Sequence, residues 1–143
     1  LLGQAGARRR EAAARQKALE MIGFVGLDEQ MNQDVATLSF GQGRLLETAR
    51  ALAADPRIIL FDEPAAGLTA AECDRLGEII REIAARGISV LLIEHDMRFL
   101  MPLADRVVVL NFGKKIADGE PSLIRTDPAV IDAYLGEGGG LGA

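Results

Sequence analysis

The chain has 143 residues, a formal net charge of −5 and a pI near 4.9. This acidic balance argues against nucleic acid as the main partner, because a basic face would be needed to displace counterions from phosphate backbones. A single cysteine, Cys73, rules out an intrachain disulfide, and no apolar run approaches the ~20 residues that span a bilayer.

Residues 7–22 read as a helix rich in good helix formers, with Ala14, Ala18, Leu19 and Ile22 able to share a face and Arg8-Arg9-Arg10 on a solvated one. Residues 27–37 are polar and irregular. Ser39 followed three residues later by Gln42 is a capping box, predicting a helix from about 40 to 54 that stops before Pro56. The wholly apolar run Ile58 to Phe61 predicts a strand covered on both faces. Thr69 and Glu72 form a second capping box, opening a helix to about 86 that Gly87 closes.

Ile88 to Ile93 predicts another buried strand, and Asp96 caps a short helix to about 103. Val107 to Leu110 and Lys115 to Ala117 predict a third and a fourth strand. Asp127-Pro128 starts a last helix, Gly136 stops it, and residues 136–143 read as a flexible tail. Strands and helices alternate, which indicates an α/β domain with a parallel sheet and right-handed crossovers, preceded by a helical segment.

Three segments carry chemistry. At Ile58-Ile59-Leu60-Phe61-Asp62-Glu63-Pro64 an apolar strand ends in two acids, at the edge of a parallel sheet where functional groups emerge. Asp62 suits a hard cation such as Mg²⁺, held through water, and Glu63 suits a base that orients or deprotonates an attacking water. Pro64 is expected to keep Glu63 extended. An acidic turn after a strand is the plain alternative. His95, the only histidine, follows the next strand in Glu94-His95-Asp96 and is expected on the same sheet edge as Glu63. Leu38-Ser39-Phe40-Gly41-Gln42 places a hydroxyl, a glycine and exposed amides at a helix start, which suits an anion such as phosphate, although simple capping accounts for the Ser39–Gln42 spacing.

In this order and spacing the three segments resemble the signature motif, the Walker B strand with its catalytic glutamate, and the switch-histidine loop of ATP-binding-cassette (ABC) transporter ATPase subunits. Ala65-Ala66-Gly67-Leu68, Asp105 to Leu110, Gly113 to Gly119 and Asp132 to Gly136 are similar to the ATP-binding subunits of branched-chain amino-acid importers. The resemblance implies a partial P-loop-type sheet with flanking helices and part of the family's helical subdomain. Residues 1–54 would belong to that helical subdomain, 55–126 to the C-terminal half of the ATPase core, and 127–143 to a C-terminal helix and tail.

It further implies ATP and Mg²⁺ as cofactors, Asp62 at the Mg²⁺, and Glu63 and His95 as catalytic residues. Leu38, Ser39, Phe40, Gly41 and Gln42 would close over the nucleotide of a second ATP-binding subunit. Permease subunits would be the other partners, at the cytoplasmic face of the membrane. Phe40 stands where the family more often has Gly, Gly43 where it has Gln, Arg or Lys, and Thr69 where many members carry Asp. No G-x-x-x-x-G-K-[ST] stretch occurs in the sequence, so the chain is expected to be the C-terminal part of such a subunit, inactive alone. A non-transporter ABC-type ATPase and a non-catalytic α/β module are the alternative readings.

Overall fold

The computed structural model describes residues 2–135; the predicted Gly136 stop and the tail lie outside them. The chain divides into two compact units, Leu1–Glu94 and His95–Ala143.

In the first unit, helix α1 (Leu2–Val25) is longer than the sequence predicts, and Arg8, Arg9 and Arg10 are exposed on it. The predicted shared face is not the buried one. Ala14 and Ala18 are exposed, whereas Met21 and Val25, one turn apart near the C-terminal end, are buried. The reason is that α1 packs on helix α2 (Phe40–Leu52), whose own buried residues include Ala49 and Leu52. Two short 3-10 turns, Asp28–Gln30 and Val35–Thr37, fill the polar stretch between them. No helix among the described residues is long and apolar enough to cross a membrane.

Strand β1 (Ile58–Asp62) and strand β2 (Ser89–Ile93) pair in parallel, with Ile59 opposite Val90, Phe61 opposite Leu92 and Asp62 opposite Ile93. Helix α3 (Ala70–Ala85) connects them, and Leu76, Ile79, Ile80 and Ile83 lie buried along one of its faces at the three-and-four spacing that a helix needs. Gly87, at φ 81°, follows its last turn in the left-handed conformation that ends many helices. The sequence predicts strands covered on both faces; the structure covers one. Ile59 and Phe61 are buried, while Ile58, Leu60, Leu91 and Ile93 are exposed.

In the second unit, Asp96 caps the single-turn helix α4 (Met97–Leu100), accepting a hydrogen bond from the Arg98 N–H at 2.9 Å. The predicted third and fourth strands, β3 (Val107–Asn111) and β4 (Lys114–Gly119), do not extend the parallel pair. They form an antiparallel hairpin of their own around Phe112-Gly113. Both turn residues have positive φ, 44° and 74°, the backbone of the tight hairpin turn whose twist matches its strands. A bulge shifts the register between Val109 and Leu110. Helix α5 (Pro121–Ile124), absent from the sequence prediction, and helix α6 (Pro128–Leu135) pack on β4, and Ile124 and Val130 are buried.

The hairpin carries an ion cluster. The Arg106 guanidinium grips Asp118 with both arms at 2.8 and 3.1 Å, and Lys115 Nζ adds a third bond at 3.0 Å. Arg106 first, then Lys115, lowers the Asp118 carboxyl from the usual 3.8 to about 2. A folded value below the unfolded one means that the carboxylate's stabilisation is present above pH ~4 and lost as pH falls through about 2. Arg106→Ala should move the Asp118 midpoint upward, towards ~3.9. A carboxyl-carbon NMR titration reads this directly, and an unmoved midpoint would show that the guanidinium is not the cause.

Candidate functional site

The first unit brings three of the sequence-predicted features into one neighbourhood: the start of α2, the end of β1 and the loop that leaves it. Ser39 caps α2 through a reciprocal pair of bonds. Its hydroxyl accepts from the Gln42 N–H at 3.2 Å, and Gln42 Oε1 accepts from the Ser39 N–H at 2.9 Å. The amides of Phe40 and Gly41, at the first two helical positions, have no intrahelical acceptor by the geometry of a helix start.

Gly41 is buried against the first turn of α3, and a Cβ there would overlap the Glu72 carboxylate. Glu72 is itself fixed by the second capping box, accepting from the Thr69 N–H at 2.9 Å and from the Thr69 hydroxyl at 2.8 Å. Those bonds, the backbone one foremost, hold its carboxyl below the usual range. A negative group beside the start of α2 also suits the positive end of that helix. Phe40 lies exposed with the Arg44 guanidinium 5.2 Å from its ring centre, and its ring edge faces the backbone of Gly67 in the loop after β1. Gly43 has open space where a Cβ would sit, so its cost is the ~1 kcal/mol of a glycine in a helix and no more.

Asp62 ends β1, exposed and opposite Ile93 of β2. Glu63 continues the ladder by one bond, its N–H donating to the Ile93 carbonyl at 2.9 Å. It is not extended as the sequence predicts: its φ is 44°, in the left-handed region. Pro64 still disfavours the right-handed helical backbone for Glu63, but the chain turns here and Ala66 N–H donates back to the Glu63 carbonyl at 3.2 Å. Ala65 N–H donates to Glu94 Oε1 at 2.9 Å, which joins the loop after β1 to the end of β2.

Glu94 has no role that the sequence alone assigns. It was visible as an acid at a strand end, but its partner lies 29 positions away. His95 is exposed and opens the second unit; the adjacent Asp96 is pushed up by burial, yet its bonds from Arg98 and Phe99 outweigh that and hold it below the usual carboxylate range.

A small cleft of about 160 Å³ lies between α2 and β1, lined by Arg44, Glu47, Thr48 and Ala51 on one side and by Leu60, Phe61, Asp62 and Pro64 on the other. This is below the ~300 Å³ of a small-molecule pocket, so these residues alone do not enclose a nucleotide. Among the described residues no three His, Cys, Asp or Glu side chains group into a metal cage.

The profile of the ABC transporter family matches residues 4–66, and that of the branched-chain amino acid ATP-binding cassette transporter matches residues 114–140. Over these stretches the chain matches the ABC transporter family. Among ABC proteins it is 46% identical over 131 residues to the high-affinity branched-chain amino acid transport ATP-binding protein BraF of Pseudomonas aeruginosa, covering 91% of this chain and 51% of BraF. It is 42% identical over 131 residues to the corresponding LivG protein of Escherichia coli K12, with the same two coverages. The ADP conformation of an ATP-binding cassette of an ABC transporter superposes with a TM-score of 0.80 at 31% identity, covering 87% of this chain and 50% of that one. The chain thus spans about half the length of the ABC proteins it matches. That likeness identifies the mixed α/β architecture as the ABC ATPase fold over the shared half.

Proposed function

We propose that these residues supply the signature segment, the Mg²⁺-side acid and the hydrolytic base of the ATP-binding subunit of a branched-chain amino-acid importer. The observation that carries the reading is the end of β1. Asp62 and Glu63 leave a parallel strand pair at its carboxyl edge, and Glu63 is turned by a left-handed backbone. The relatives named for branched-chain amino acid transport support the choice of solute.

In this reading Asp62 would hold Mg²⁺ through water, and the cation would supply charge neutralisation at the phosphates. Bound Mg-ATP supplies the phosphoryl group and the charge neutralisation of the transfer. Glu63 orients and deprotonates the attacking water, and His95 acts on the terminal phosphate. The Phe40 and Gly41 amides, with Ser39, suit the phosphates of a nucleotide held by a second ATP-binding subunit. The phosphate-binding loop is not in this sequence, so the reading requires it from chain outside these residues. The permease subunits are the other partners, and the assembly works at the cytoplasmic face of the membrane.

Cross-subunit action is testable in a mixed dimer of the intact ATPase. Ser39→Arg on one subunit should silence the nucleotide site whose phosphate loop lies on the other, leaving the site on its own chain working. Single-site turnover, with one phosphate loop disabled at a time, reads the difference. Loss confined to the mutated subunit's own site would sink the arrangement.

A further inference from the structure

Glu63 is a non-glycine residue at φ 44°. Such a conformation is strained for a residue with a side chain and persists only where its surroundings over-determine it. On one side Glu63 is held by its N–H bond to the Ile93 carbonyl at 2.9 Å. On the other, the turn it opens is held by the Glu94 carboxylate, which accepts the Ala65 N–H at 2.9 Å. Ala65 is also engaged through its carbonyl, in the next peptide group, which accepts from Leu68 N–H at 3.1 Å and faces the Cys73 thiol at 4.0 Å. Within the turn, the Ala65 N–H bond to the Glu94 carboxylate ties the backbone just after Glu63 to the neighbouring strand.

We propose that Glu94 is a positioning residue for the hydrolytic base: its carboxylate clamps the Glu63–Ala66 turn and so fixes where the Glu63 side chain points. This rests on the catalytic reading of Glu63 given above. What the clamp needs is an acceptor oxygen at the reach of a glutamate; it does not need the charge. That separates it from an electrostatic role, in which Glu94 would act through its negative field on the neighbouring acids or on His95.

Two conservative variants of the intact ATPase, assembled with its permease, pull reach and charge apart. Glu94→Gln keeps the oxygen and loses the charge. Glu94→Asp keeps the charge and draws the oxygen back by one methylene. Steady-state hydrolysis is measured for each over a range of Mg-ATP, with Glu63→Gln in parallel. The clamp predicts that Glu94→Asp lowers kcat about 10- to 100-fold, the scale of a misplaced reacting group, with KM within about twofold of the parent. Glu94→Gln should stay within about threefold in both constants.

The reverse ranking, with Gln impaired and Asp active, overturns the clamp in favour of the charge. Equal losses in both, or a loss carried by KM, overturn it as well. If Glu63→Gln is inactive while Glu94→Asp turns over normally, the base stands and the clamp falls. If Glu63→Gln turns over normally, the base falls and the clamp with it, whatever the Glu94 variants do.

Discussion

Glu63→Gln, made in the intact ATPase, should leave Mg-ATP binding within about threefold and lower steady-state hydrolysis about 10²- to 10⁴-fold, the range that a general base contributes. The amide preserves the shape of the side chain, and the N–H bond to the Ile93 carbonyl and the turn to Ala66 are backbone bonds that the change leaves in place. What disappears is the capacity to take a proton from water. With binding kept and hydrolysis lost, ATP should accumulate on the protein, and a filter-binding assay beside a phosphate-release assay measures both quantities on one sample. Near-parental phosphate release would remove Glu63 from the chemistry and leave it an acidic turn residue.

The second large effect concerns the 143 residues taken by themselves. They should release no phosphate from Mg-ATP above the uncatalysed background and bind it only weakly. The sequence has no phosphate-binding loop, and the cleft beside Asp62 is too small to enclose a nucleotide. The same polypeptide should associate with itself. Ile58, Leu60, Leu91 and Ile93 form an exposed apolar face on a two-stranded sheet, and exposed strand surfaces of this kind promote pairing between chains. Calorimetric titration with Mg-ATP and light scattering during a thermal melt test the two statements separately. Micromolar ATP affinity would mean that a complete nucleotide site exists in these residues. A monomeric, sharply cooperative melt would mean that the apolar face is covered in solution.

Local chemistry was legible in the sequence; distant chemistry was not. Both capping boxes, at Ser39–Gln42 and Thr69–Glu72, are bonds between residues three apart, so the residue types alone announce them. The pairing of β1 with β2 followed from the strand–helix–strand order. The hairpin did not, because a Phe112-Gly113 turn lacks the asparagine or aspartate that usually marks a two-residue connection, and an apolar run reads the same in either strand direction.

The one-sided burial of β1 was hidden for a related reason: Ile58-Ile59-Leu60-Phe61 shows no alternation, although the structure imposes one. At the candidate site, Asp62, Glu63 and the α2 start stand out by residue type. The fit of Gly41 against Glu72 and the bond from Ala65 to Glu94 are tertiary facts that no short window contains.

The backbone at Glu63 has an evolutionary reading. Glycine would relieve a φ of 44°, and asparagine adopts the left-handed region more readily than glutamate does, so selection for stability alone would move this position away from the residue it holds. On the catalytic reading proposed above, glutamate there is a standing compromise between a more stable protein and a working one. On that reading, descendants of the intact protein that had no need of Glu63 as a base would be expected to drift first at this codon, towards glycine or asparagine, with the fold becoming more stable as they did.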